Sequence, residues 1–183
     1  MKMPQSISCI PDTFIAVGAN LPRESGETAA MTCLWAVAEL ARIPGLSVVG
    51  VSAWYESAPV PPSGQPPYVN GVVRMAGEVD PAWLLGQLHA IEAAAGRRRT
   101  VANAARPLDL DIISMGALVR AAPDPIVPHP RATQRAFVLL PLRDVMPAWR
   151  DPVTGQGIDA FLPGVAGQDI TRMAGPEGTS GPA

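Results

Sequence analysis

The run Thr13-Phe14-Ile15-Ala16-Val17 is apolar and partly β-branched and stops at Gly18-Ala19-Asn20, so it predicts a buried strand entering a turn. Over residues 26–43, Ala30, Leu34, Val37 and Leu40 or Ala41 recur three or four positions apart among good helix formers, the period of a helix with one buried side. Pro44-Gly45 ends it. Residues 46–55, rich in valine and serine, read as a second strand that runs into a proline-rich stretch over 58–67, and residues 68–75 read as a third strand. Connections inside compact domains usually span only about half a dozen residues, so a stretch this long is a candidate for function. The next helix has the clearest borders: Asp80 can cap it, Pro81 suits its first turn, and Gly96 can take left-handed backbone after its end. Trp83, Leu84, Leu88 and Ile91 form its apolar stripe. Residues 108–114 alternate Leu, Asp, Leu, Asp, Ile and predict a fourth strand; after several prolines, an apolar segment over 137–145 predicts a short helix.

The order strand, helix, strand, strand, helix, strand is that of an α+β, ferredoxin-like βαββαβ sandwich, an antiparallel sheet with helices on one face. At 183 residues the chain suits a single domain, since two would each approach the size at which a core becomes marginal. The expected division is a flexible segment over 1–11, the domain over 12–163, and a disordered tail over 164–183, where glycine, proline, serine and threonine dominate. Hydrophobic residues at 48% and charged residues at 16% exclude the disordered class. A net charge of -2 gives no basic surface for nucleic acid or an anionic membrane. No run reaches membrane-spanning length and the first residues lack a secretory pattern, so Cys9 and Cys33 read as reduced thiols in a cytoplasmic protein, expected to be a monomer.

Asp109-Leu110-Asp111 carries the most chemistry, because side chains two apart on a strand share a face, their Cβ atoms roughly 7 Å apart. Taken alone, that spacing fits a solvated strand face better than a metal site. Its neighbourhood changes the balance: Arg97, Arg98, Arg99 and Arg106 all lie in the loop entering this strand, in a chain otherwise not basic. Carboxylates that hold a hard cation, ringed by guanidinium groups, are what a triphosphate requires. Downstream, Val127-Pro128-His129-Pro130-Arg131 and Arg135-Ala136-Phe137 add a histidine, two arginines and an aromatic ring. Over residues 57–70, apolar Ala58, Pro59 and Val60, the ring of Tyr68 and the amide of Asn70 offer what a planar heterocycle needs, although Tyr68 and Asn70 equally suit an ordinary strand and turn.

Read together, these motifs resemble the hydroxymethyl-dihydropterin pyrophosphokinase family in the same order from Phe14 to about residue 147. They are Gly18-Ala19-Asn20-Leu21, Ser57-Ala58-Pro59, Gln65-Pro66-Pro67-Tyr68-Val69-Asn70, Arg106-Pro107-Leu108-Asp109-Leu110-Asp111-Ile112, and Pro128-His129-Pro130-Arg131 with Arg135, Phe137 and Pro141-Leu142. The resemblance implies an ATP-dependent enzyme in which two magnesium ions (Mg2+), held at Asp109 and Asp111, bridge the ATP phosphates while the hydroxyl of a hydroxymethyl-dihydropterin attacks the β-phosphorus and AMP leaves. It implies that Glu92, Arg97, Arg99, Arg106, Ile112, His129 and Arg135 line the nucleotide, with Arg97 and Arg106 joining the two aspartates in catalysis. It also implies that Tyr68 and Phe137 sandwich the pterin, that Asn70 reads its edge, and that Ser57, Ala58 and Val60 complete that pocket. Ala19, Asn103-Ala104-Ala105 and Pro130 depart from the family's commonest residues. Competing readings are a non-catalytic ferredoxin-like module that binds nucleotide or pterin, and a nucleotide-sugar transferase, which also uses Asp-x-Asp.

Overall fold

The computed structural model describes residues 11–23, 25–59, 64–96 and 107–174. In chain order the elements are β1 (Asp12–Ala19), α1 (Ala29–Leu40), β2 (Leu46–Val51), β3 (Tyr55–Ser57), β4 (Tyr68–Gly77), α2 (Pro81–Ala94), β5 (Asp109–Met115), α3 (Ala136–Val145) and β6 (Ile170–Arg172). All six strands join one sheet through antiparallel pairs, in the order β5-β1-β4-β3-β6, with β2 also on β4. This is the expected α+β, ferredoxin-like arrangement. Among the described residues no helix is long and apolar enough to cross a membrane.

Strand alternation divides the side chains between two cores. Ile15 and Val17 of β1, Val73 and Met75 of β4, and Leu110 and Ile112 of β5 point to the face covered by α1 and α2. Phe14, Val72 and Ile113 point to the other, where Leu139 and Leu142 of α3 cover them. The expected helical layer is therefore present, and α3 adds a second one across part of the opposite face. Helix borders follow local chemistry: the Thr28 hydroxyl accepts from the Met31 N–H, and Asp80 Oδ1 accepts from the Trp83 N–H at 2.9 Å. Cys33 lies buried without a disulfide, its thiol pushed up to about 12 by burial; Cys9 lies outside the described residues.

Several expectations require correction. Residues 46–55 form two strands, because Ser52 replaces the ladder with its own contacts: its N–H donates to Val72 O at 3.0 Å and its Oγ accepts from the Val72 N–H at 2.9 Å. The stripe of α1 is shifted in phase: Thr32, Cys33, Ala36 and Leu40 are buried while Leu34 is 58% exposed, since small Cys33 and Ala36 let the helix lie close to the sheet. On α2, Leu84, Leu88 and Glu92 are buried and Trp83 is exposed. Residues 164–174, expected in a disordered tail, hold the end of a 3-10 turn, Leu162–Val165, and then β6, whose Ile170, Thr171 and Arg172 pair with the edge of β3. Residues 1–10 and 175–183 lie outside the described residues.

Two glycines should respond in opposite directions to alanine. A Cβ on Gly77, at φ +143, would stand 2.1 Å from the Gly45 carbonyl oxygen, so Gly77→Ala should lower stability by roughly 1–3 kcal/mol. Gly86 sits in α2 with nothing within 4 Å of an added Cβ, so Gly86→Ala should raise stability by up to about 1 kcal/mol. Urea unfolding midpoints measure both.

Candidate active site

The strand register sets the site. Asp109 faces Gly18, Gly18 faces Asn70, and Asn70 faces Tyr55, so one row crosses four strands at the same end of the sheet. Neighbouring strands lie about 4.8 Å apart, which separates Asp109 from Asn70 by roughly 10 Å. In the register only Gly18 lies between them, and a Cβ there would come within 3.3 Å of Asn70 Oδ1. The row below is Asp111, Ala16 and Val72. The floor between the carboxylates and the amide is thus built from two of the smallest residues. In the sequence Gly18 belongs to the turn after the first strand, and pairing register, which a sequence does not display, is what gives it this place.

Asp109 and Asp111 share the α3 face as expected, with Leu108, Leu110 and Ile112 in the core behind them. Asp111 Oδ2 lies 3.8 Å from His129 Nε2 and 4.0 Å from Arg135 Nη1, and its side chain remains 39% exposed. His129 Nδ1 accepts from the Arg131 N–H at 3.1 Å, which leaves Nε2 as the nitrogen that carries a proton toward Asp111. The His129 N–H donates to Ile113 O at 2.8 Å and ties this segment to β5. Burial lowers the pKa of His129 below its ordinary value; Asp111 opposes the shift, and Arg135 and Arg131 reinforce it. Burial also lowers that of Arg135, followed by Arg131, with Asp111 and Asp109 acting the other way. The Arg135 guanidinium and the His129 imidazole therefore both face Asp111.

Glu92 is 1% exposed, and its Oε1 accepts from the Leu110 N–H at 2.9 Å, fixing the backbone between the two aspartates. Ile112 is buried in the helical core, which leaves its backbone rather than its side chain for any ligand. The donor set suits magnesium, which takes one or two carboxylates and completes its shell with phosphate oxygens and water. Among the described residues no group of three or more His, Cys, Asp or Glu side chains is gathered to hold a metal ion.

Tyr68, Asn70 and Ser57 gather at the other side of the Gly18 floor. Ser57 faces Tyr68 in the register, and Asn70 Nδ2 donates to Ser57 Oγ at 3.0 Å. Ala58 follows directly. Phe137 occupies the first turn of α3, with the Arg135 guanidinium 5.3 Å from its ring centroid, so Arg135 reaches from the carboxylates to the aromatic side of the site. Gln65, read only as part of a motif, accepts from Asn20 Nδ2 at 2.9 Å and joins the proline-rich stretch to the turn after β1. Tyr55 went unnoticed in the sequence: its hydroxyl donates to Asp144 Oδ2 at 3.0 Å, and the same oxygen accepts from the Ala53 N–H at 3.2 Å, holding α3 to the strand break. Val60, Arg97, Arg99 and Arg106 lie outside the described residues.

The family model described as 7,8-dihydro-6-hydroxymethylpterin-pyrophosphokinase (HPPK) matches residues 14–147. A Pseudomonas aeruginosa protein named 2-amino-4-hydroxy-6-hydroxymethyldihydropteridine pyrophosphokinase is 36% identical over 168 residues, covering 91% of this chain and 99% of that one. A Synechocystis protein of the same name is 41% identical over 123 residues, 67% of this chain and 63% of that one. Among solved structures, wild-type HPPK-DHPS of Plasmodium falciparum matches with a TM-score of 0.61 at 13% identity, over 82% of this chain and 44% of that one, a likeness of fold alone.

Burial, and then the bond to Asp144, push the Tyr55 hydroxyl up to about 12. The folded state therefore holds this proton more tightly than the unfolded chain, whose tyrosines ionise near 10. The resulting stability is intact below pH 10 and should be lost as pH rises toward 12. Tyrosinate absorbance should show a step at about 12 that Tyr55→Phe removes.

Proposed function

Because this chain belongs to the 7,8-dihydro-6-hydroxymethylpterin-pyrophosphokinase family, we propose that it transfers the pyrophosphoryl group of magnesium-bound ATP to the hydroxymethyl group of 6-hydroxymethyl-7,8-dihydropterin, releasing AMP, as a step in folate biosynthesis. The observation that carries this reading is the register row in which Asp109 and Asn70 flank an open glycine floor, with Arg135 spanning both sides. Under this reading the enzyme works as a cytoplasmic monomer.

The dihydropterin lies between the rings of Tyr68 and Phe137, and Asn70 presents a donor and an acceptor to its edge. Ser57 holds that amide in place, and Ala58 and Val60 close the pocket. The ring then rests over Gly18 with its hydroxymethyl group directed toward the aspartates. Asp109 and Asp111 would hold two Mg2+ ions, which supply neutralising charge at the triphosphate. His129 Nε2–H and the Arg135 guanidinium, both already turned toward Asp111, donate to phosphate oxygens, and Arg97, Arg99 and Arg106 complete the nucleotide side. Glu92 acts through the β5 backbone, and Ile112 offers its own backbone to the nucleotide. The hydroxymethyl oxygen loses its proton to solvent as its bond to the β-phosphorus forms, and the bond from that phosphorus to the oxygen bridging the α-phosphorus breaks. AMP leaves with the bridging oxygen.

Mixed with magnesium-ATP and the dihydropterin, the protein should produce AMP rather than ADP. Asp109→Ala and Asp111→Ala should each cut turnover by at least about 100-fold while the urea midpoint stays near that of the parent. Calorimetric binding of both substrates without AMP would instead favour a non-catalytic binding module. Phe137→Ala should weaken dihydropterin binding by roughly three- to tenfold through loss of a stacking partner, measured by calorimetry.

A further inference from the structure

Helix α3 begins immediately after Arg135, which occupies the position where serine, threonine, aspartate or asparagine would ordinarily satisfy the first free N–H groups. Arg135 makes no such cap; its side chain is instead turned toward Asp111 and the Phe137 ring. The missing function is supplied from a distant part of the chain. Gln168 Oε1 accepts from the Ala136 N–H at 2.8 Å, and Gln168 Nε2 donates to the Gln134 carbonyl at 2.8 Å. One carboxamide thus grips the backbone on both sides of Arg135.

The segment that carries Gln168 is itself held at both ends. Its own N–H donates to Val165 O at 3.0 Å, Val165 is buried in the α3 core, and two residues later β6 begins to pair with β3. Gln168 also lies beyond residue 147, where the family match ends. We propose that Gln168 is a positioning residue of the transfer reaction, clamping the backbone around Arg135 so that the guanidinium is delivered between the carboxylate pair and the aromatic wall. The proposal rests on the pyrophosphokinase reading of the site. It gives the C-terminal segment a role in the chemistry through Arg135, with no contact to substrate of its own.

A double-mutant cycle tests it. AMP formation is measured for the parent, Gln168→Ala, Arg135→Ala and the double variant, with urea midpoints beside them. Gln168→Ala should lower kcat/KM by roughly tenfold, the order expected for two lost hydrogen bonds. Because it acts through Arg135, the double variant should match Arg135→Ala alone within about twofold. Gln168→Glu keeps an acceptor for the Ala136 N–H but has no donor for the Gln134 carbonyl, so it should fall between parent and alanine. Additive losses, or parental activity in Gln168→Ala, would overturn the proposal. A parent that forms no AMP would sink the pyrophosphokinase reading instead. The same cycle read as calorimetric Kd for α,β-methylene-ATP with magnesium then judges Gln168 separately: equal Kd in parent and Gln168→Ala rejects the clamp.

Discussion

Two carboxylates on alternate positions of one strand repel each other, and the geometry around Asp109 and Asp111 is arranged around that repulsion. His129 and Arg135 approach Asp111 without closing on it, at 3.8 and 4.0 Å, and Asp111 keeps 39% of its side-chain surface. Asp111 thus has positive or protonated groups beside it while part of its carboxylate stays on the surface. A tightly paired, buried carboxylate would have no capacity for a cation, and an isolated one would have no means of holding a triphosphate beside it. Behind the strand, Glu92 fixes the Leu110 N–H, so the backbone that spaces the two charges is anchored from the helical side.

The sheet gives each face its own task. The α1 and α2 face is a continuous apolar layer and supplies rigidity. The α3 face is apolar only in part; where it meets the ends of β1, β4 and β5 it carries the aspartates, the small residues of the floor and Asn70. Helix α3 brings Phe137 to this edge, while Tyr55 with Asp144 and the Gln168 clamp secure its two ends. Arg135 links the two sides, 4.0 Å from the Asp111 carboxylate and 5.3 Å from the centroid of the Phe137 ring.

Much of this was legible in the sequence. The aspartates could be assigned to one face because the alternation of residues 108–112 leaves a single consistent orientation, and α2 could be bounded because Asp80, Pro81 and Gly96 mark its ends chemically. Other features depend on partners remote in the chain. The phase of α1 was misread because apolar residues occur on all its sides, and only the close approach allowed by Cys33 and Ala36 selects the buried one. The break at Ser52 arises from a side chain that takes over ladder bonds with Val72. Composition hid β6, since three residues suffice to pair with a free edge. Gly18 and Gln168 owe their significance to register and to a contact across 32 residues, neither of which leaves a local signature.

The central proposal is that the Asp109 and Asp111 carboxylates hold metal together with a triphosphate. Electron paramagnetic resonance of manganese, used in place of magnesium and titrated with α,β-methylene-ATP, measures this directly. The account predicts two bound ions per chain in the presence of the nucleotide and loss of that binding in Asp109→Asn/Asp111→Asn. Undiminished manganese binding in that variant would contradict it.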